Sequence, residues 1–192
     1  LFCHTMTNKL LLSPLLSLEQ CRELVSKTDW TAALEFVSQT RQREFLTWRA
    51  VLYQWLGRVV DIAYKDGAPT AVGSNINIGV SHTTDMVAVV VSQTPCAVDV
   101  ERRDRDVSRV AERFFTEREQ QIAQSGQLQV AVWCARECYY KFMRDRAIDI
   151  LNDIHVTHLD IEQGRVTVQS TRAAELEMKI EQTAEHIVVY VL

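Results

Sequence analysis

Two acidic residues separated by one valine, Asp99 and Glu101, close a short β-rich run, Ala97-Val98-Asp99-Val100-Glu101. Strand side chains alternate, so Val98 and Val100 take one face while Ala97, Asp99 and Glu101 take the other. The two carboxylates then leave Cα atoms ~6.5–7 Å apart and can reach one cation; an oxygen-only pair suits Mg²⁺ shared with substrate phosphates. A second group lies in Trp133-Cys134-Ala135-Arg136-Glu137-Cys138-Tyr139-Tyr140-Lys141, where Trp133, Glu137 and Lys141 recur every four residues and share a face of a predicted helix. That adds a third carboxylate and a cation one turn apart. Ser81-His82, at the C-terminal end of a predicted strand over 76–80, offers a hydroxyl and an imidazole that can hydrogen-bond phosphate oxygens. Each piece also has a plain structural reading: two unrelated charges at a strand end, an intrahelical Glu137–Lys141 ion pair worth ~0.3–0.5 kcal/mol, and a capping histidine. Only their combination points to phosphate chemistry.

The elements that must carry these groups follow from periodicity. A helix is predicted over 17–27, capped by Ser17, with Leu18, Cys21, Leu24 and Val25 at helical spacing. A longer amphipathic helix is predicted from about Thr31, through Leu34, Val37, Phe45, Trp48, Leu52 and Trp55, to a stop at Gly57. After the turn Asp66-Gly67-Ala68-Pro69 come strands over 76–80, 86–91 and 97–101, the second apolar on both faces and so expected inside a sheet. Helix returns over 108–146, interrupted near Ser125-Gly126, and strands follow over 154–161, 165–170 and 187–192, with a weaker run over 176–180. Helices followed by strands occur twice. The expected fold is therefore α+β, two similar halves in a pseudo-twofold arrangement, each a small, mostly antiparallel sheet packed with helices, with boundaries at 1–95 and 96–192.

Composition narrows the setting. With 192 residues, 47% of them hydrophobic, the chain can bury one substantial core or two small fused ones. Its five cysteines (Cys3, Cys21, Cys96, Cys134, Cys138) are odd in number and form no C-x-x-C pair, so neither a disulfide framework nor a zinc site is indicated and a reducing cytoplasm is expected. The net charge of −4 argues against general nucleic-acid binding. The apolar residues over 10–16 are interrupted by Ser13-Pro14 and too few to span a bilayer, so they read as packing surface. The start at Leu1, without an initiator Met, is expected to be a trimmed one.

With these residues in place, the sequence resembles the 4′-phosphopantetheinyl transferase superfamily, in its longer class where two halves share one chain. The matching stretches are Gly79-Val80-Ser81-His82-Thr83, Ala97-Val98-Asp99-Val100-Glu101, Arg113-Phe114-Phe115-Thr116-Glu117-Arg118-Glu119, and Trp133-Cys134-Ala135-Arg136-Glu137 ending at Lys141, in the family's order and spacing. The resemblance implies Asp99, Glu101 and Glu137 as Mg²⁺ ligands. It implies that Ser81 and His82 contact coenzyme A, and that Arg136 and Lys141 hold its phosphates. Arg43 and Arg49 would lie on a helix serving the nucleotide end. Glu137, Lys141, Arg136 and His82 would be the catalytic set, and Glu119 either a supporting residue or an exposed carboxylate at a helix N-terminus.

The activity implied is transfer of 4′-phosphopantetheine from coenzyme A to a serine of an apo acyl or peptidyl carrier protein, with release of 3′,5′-ADP. The serine proton would leave through Glu137 or through a water on the metal. Carriers of this kind are acidic, which draws attention to Arg102, Arg103, Arg105, Arg109, Arg113 and Arg118, although acidic residues are interleaved with them. The protein is expected to act as a monomer, without nucleic acid or membrane. Two departures stand out. Ala68 sits where the family's turn often has Lys, with Lys65 as a substitute, and Arg136 sits where Lys is common; Arg keeps the charge but is not interchangeable with it. The glycine-rich stretch often found after the last lysine is replaced by Phe142-Met143-Arg144-Asp145-Arg146. Competing readings are a Mg²⁺-dependent phosphodiesterase and a catalytically silent homologue that binds a carrier or nucleotide.

Overall fold

Contiguous β-rich and helical stretches sort the chain into two compact units, residues 1–95 with Leu192 and residues 96–191. The computed structural model describes residues 8–192, and Cys3 lies outside the described residues. In the first unit β1 (Lys9–Pro14) leads into α1 (Leu18–Leu24), α2 (Lys27–Ala33) and α3 (Gln39–Leu56), followed by β2 (Ile62–Lys65), β3 (Ala68–Ala71), β4 (Asn77–His82) and β5 (Met86–Ser92). In the second, β6 (Ala97–Arg102) leads into α4 (Ser108–Phe114), α5 (Glu117–Ile122) and α6 (Gly126–Met143), followed by β7 (Ile154–Asp160), β8 (Arg165–Ser170), β9 (Ala173–Gln182) and β10 (His186–Val191).

The sheets have strand orders β1-β5-β4-β3-β2 and β6-β10-β9-β8-β7, antiparallel throughout. One topology is thus used twice: the last strand of each unit returns beside its first, and the fold is α+β with two similar halves. The run over 10–16 that read as packing surface is largely β1, with Leu11 opposite Val89 of β5. Val87 to Val91 of β5 are essentially inaccessible, which accounts for a strand apolar on both faces. Between β2 and β3, Asp66 (φ 51°) and Gly67 (φ 81°) both adopt the left-handed conformation that a tight two-residue hairpin requires.

Two elements differ from their predicted form. The helix expected from Thr31 to Gly57 is α2 and α3 with a break between. Glu35 and Phe36 bond back to the carbonyls of Ala32 and Ala33, tightening the chain out of α-geometry, and Ser38 starts α3 afresh by accepting from Arg41 N–H. Leu34 and Val37, read as core, are exposed in that break. The weak strand over 176–180 is the ten-residue β9. Met178 and Ile180 face inward while Glu177, Lys179 and Glu181 face water, so the one-sided alternation dilutes its apolar signal.

In the second unit α6 lies on the sheet, and Val130, Cys134, Cys138 and Tyr139 join Ala97, Met178, Ile187 and Val189 in one core. The first unit's core gathers Trp48, Leu52 and Tyr53 of α3 with Ile78, Val87 and Val89 of its sheet. The four described cysteines are buried and form no disulfide with one another. No described helix is long and apolar enough to cross a membrane.

Candidate active site

β6 pairs with β10 in a register that sets Asp99 opposite Val189 and Glu101 opposite Ile187. Both acids share the strand face of Ala97, which packs in the α6 core, and they are almost fully buried, at 2% and 8% exposure. Lys141, in the last turn of α6, donates to Asp99 Oδ1 at 2.5 Å. One turn earlier Glu137 feels the charges of Asp99, Lys141 and Arg105. Arg105, from the loop after β6, donates to Glu101 Oε1, and its guanidinium carbon stands 5.9 Å from the centroid of the Trp133 ring. Strand and helix periodicity therefore bring Asp99, Glu101, Glu137 and Lys141 into one cluster, with an arginine added.

Three carboxylates stand against two cations in this cluster, and its electrostatics show at Glu137, Lys141 and the neighbouring thiols. Burial raises the pKa of Glu137 and the Asp99 charge raises it further, against the opposing pull of Lys141 and Arg105. Burial alone would lower Lys141, but the Asp99 carboxylate and the Glu137 charge outweigh it and hold the amine protonated. Burial and Asp99 push the Cys134 and Cys138 thiols well up, so both are neutral packing groups. An all-oxygen, net-negative donor set is the chemistry Mg²⁺ takes when it is shared with phosphates; Asp99, Glu101 and Glu137 match it in donor type, while their ligand atoms do not all lie within 4.8 Å of one another.

Arg136 is not in this cluster. Its side chain and that of Glu119 are both completely buried. Nε and Nη2 donate to Glu119 Oε1 and Oε2 at 2.9 and 2.5 Å, Nη2 also to Phe114 O, and Nη1 to the carbonyls of Ile150 and Leu151. All five N–H donors of the guanidinium are thereby matched, so Arg136, expected at a coenzyme A phosphate, is engaged here with Glu119 and the protein's own carbonyls. Glu119 is likewise no exposed helix-end carboxylate. It closes the capping box of α5 with Thr116 and accepts from Val156 N–H, tying α5, α6 and β7 together. Burial raises its pKa, but the hydrogen bonds from Arg136 and Val156 and the Arg136 charge prevail, and the net shift is downward.

In the first unit, β4 ends at Ser81 and His82, the former 7% exposed. A pocket of about 370 Å³ is lined by Phe36, Arg41, Glu44, Phe45, Trp48, Tyr64, Gly67, Pro69, Val80 and His82. Within it Arg41 Nη1 donates to Glu44 Oε2 at 2.8 Å and lies 3.2 Å from His82 Nε2, while His82 Nδ1 is 3.5 Å from Glu44 Oε1. Arginine only donates, so these contacts assign the imidazole proton to Nδ1, facing Glu44.

Arg43 and Arg49, the arginines expected at the nucleotide end, have other duties. Arg43 bonds the carbonyls of Leu15 and Leu16. Arg49, 3% exposed, is held by Asp29, Phe45 O and Tyr64 Oη, with its guanidinium 3.5 Å from the Phe45 ring centroid and 4.1 Å from that of Trp48. It stiffens a wall of the pocket from behind. Neither Ala68 nor Lys65 lines that pocket; the cation there is Arg41 of α3, paired with Glu44. Its signal was local: an arginine one turn before a glutamate on a helix that also carries aromatics.

A protein-family profile, the 4′-phosphopantetheinyl transferase superfamily, matches residues 95–191, just over half the chain. No curated protein sequence matches it. The matched segment contains β6 and α6 with their three carboxylates and Lys141, and the chain belongs to the 4′-phosphopantetheinyl transferase superfamily.

Proposed function

We propose that this protein transfers the 4′-phosphopantetheine group of coenzyme A to a serine hydroxyl of an apo acyl or peptidyl carrier protein, in a Mg²⁺-dependent reaction that releases 3′,5′-ADP. The observation that carries this reading is the convergence of Asp99, Glu101, Glu137 and Lys141 within the family-matched segment. Asp99, Glu101 and Glu137 would hold the ion, which when bound supplies Lewis-acid polarisation of the pyrophosphate and charge neutralisation. Lys141, kept protonated by its carboxylate neighbours, would meet the charge that develops on the phosphate oxygens as the nucleotide departs.

The nucleophile is the carrier serine. Its proton would be taken at a carboxylate oxygen of Glu137 that the ion leaves free. In the first unit Ser81, His82 and Arg41 offer a hydroxyl, an imidazole and a cation, groups of the kind that bond phosphate oxygens. Aromatic side chains of that pocket, Phe45, Trp48 and Tyr64, offer faces for a planar base. The exposed arginines after β6 would receive the acidic carrier.

The test is to incubate the protein with apo carrier, coenzyme A and Mg²⁺ and weigh the carrier by intact mass spectrometry. A gain of one phosphopantetheinyl group is expected. Glu101→Ala should abolish the gain while leaving the thermal midpoint near that of the parent, since β6 still packs through the buried Val98 and Val100. Hydrolysis of coenzyme A with no carrier present would favour a phosphodiesterase, and no gain with any of a panel of carriers would defeat the proposal.

A further inference from the structure

Resting on that reading, we infer that Arg105 is a metal-released latch: without metal it is spent on Glu101, and loading of the carboxylates with a divalent cation frees it to bind an acidic side chain of the carrier protein. The arginines of this loop are engaged in different ways. Arg102 bonds its neighbour Asp104, and Arg103 Nη1 bonds the carbonyl of Thr183 at 3.0 Å; neither contact involves a metal-ligand candidate. Arg105 bonds one, Glu101. That pair straddles the boundary with water, since the Arg105 side chain is 44% exposed and that of Glu101 only 11%.

A divalent ion on Glu101 takes up the carboxylate's charge and sets a larger positive charge beside the guanidinium, so attraction becomes repulsion. Lys141 is differently placed: it is rooted in α6, is held by Asp99, and feels Glu137 as well. Arg105 stands on a loop and has only to swing outward. There it joins Arg109 and Arg113, also exposed and one turn apart on α4. A row of three arginines complements an acidic protein surface, and it would be complete only when the metal is in place. The carrier would then bind best to an enzyme already loaded, and by reciprocity the carrier would tighten the metal by the same factor.

The measurement is binding, not turnover. A carrier that the enzyme modifies is prepared with its acceptor serine changed to alanine, and its affinity is measured by isothermal titration calorimetry in Mn²⁺ and in EDTA; Mn²⁺ uptake is read by electron paramagnetic resonance. For the parent protein, affinity in Mn²⁺ about fivefold above that in EDTA is expected, the size of one partly exposed ion pair. Glu101→Gln releases the latch without metal, so in EDTA it should bind the carrier as tightly as the loaded parent. Arg105→Ala should bind weakly in both conditions and take up Mn²⁺ more tightly, having lost the competitor.

An equal parent affinity with and without metal would overturn the latch, as would an Arg105→Ala protein that keeps the metal response. Arg105→Ala that weakens coenzyme A and spares the carrier would overturn it in favour of a phosphate contact. These failures leave transfer by the parent intact. A parent that neither takes up Mn²⁺ nor modifies any carrier overturns the functional proposal together with the latch.

Discussion

Each unit carries two arginines in similar chemical company and opposite circumstances. In the first, Arg49 is 3% exposed between aromatic rings, while the Arg41 side chain is 57% exposed at a pocket. In the second, Arg136 is wholly buried against Glu119, while Arg105 sits 44% exposed over Glu101. A guanidinium whose donors are already answered inside the protein belongs to the frame. One whose carboxylate partner lies at the edge of a site can exchange that partner for a ligand. Residue type is the same in both cases; access to water separates them.

The sealed pair should give the largest effect on stability. Glu119→Ala strands a buried guanidinium and is expected to cost about 3–5 kcal/mol in urea unfolding, whereas Glu119→Ala combined with Arg136→Met, which removes both charges, should recover part of that loss. The effect has a sign in pH. The folded-state pKa of Glu119 is lowered, so its contribution is fully present above the ordinary carboxylate range and is lost as pH falls through the lowered folded value. The gap in stability between parent and Glu119→Gln should therefore narrow on acidification. A gap that stays constant down to strongly acidic pH would remove Glu119 from the frame.

The open arginine of the first unit should give a smaller effect, and a kinetic one. Arg41→Ala is expected to raise KM for coenzyme A about tenfold, the size of one charge-assisted hydrogen bond, with kcat and thermal midpoint little changed. Arg49→Lys should do the reverse, lowering the midpoint through its lost aromatic and Asp29 contacts while KM holds. If Arg49→Lys proves the more harmful to KM, the division between frame and site fails in that unit.

The acidic half of the site was legible because it depends on periods that sequence displays. A period of two in β6 aligns Asp99 with Glu101, and a four-residue spacing in α6 aligns Glu137 with Lys141. The repeated helix-then-strand order likewise read through to two similar sheets. The sealing of Arg136 was not legible, because its carbonyl partners at Phe114, Ile150 and Leu151 lie at a helix end and in a turn 14 to 22 residues away, where no period operates. Arg41 was passed over for a related reason: it gains meaning from His82, 41 residues distant on another element. The break before α3 was hidden by Leu34, Phe36 and Val37, apolar residues that continue a helical pattern while standing in water.

Glu137 sharpens the contrast between sealed and open charge with the smallest expected effect. Burial and the Asp99 charge raise its folded-state pKa, so the sign is opposite to that of Glu119: stability is fully present below the ordinary carboxylate pKa and is lost as pH rises through the raised folded value. As pH rises through that value, the metal-free protein holds a growing ionised fraction of Glu137 against its surroundings. Glu137→Gln should raise the thermal midpoint measured in EDTA at pH 7 and leave it nearly unchanged at pH 4. Added Mg²⁺ should lift the parent midpoint, as any ligand of the native state does, and lift that of the variant far less. The same substitution would thus stabilise the empty protein and silence the loaded one, which is the behaviour of a charge retained for ligation rather than for folding. A variant less stable than its parent in EDTA would instead place Glu137 with Glu119, inside the frame.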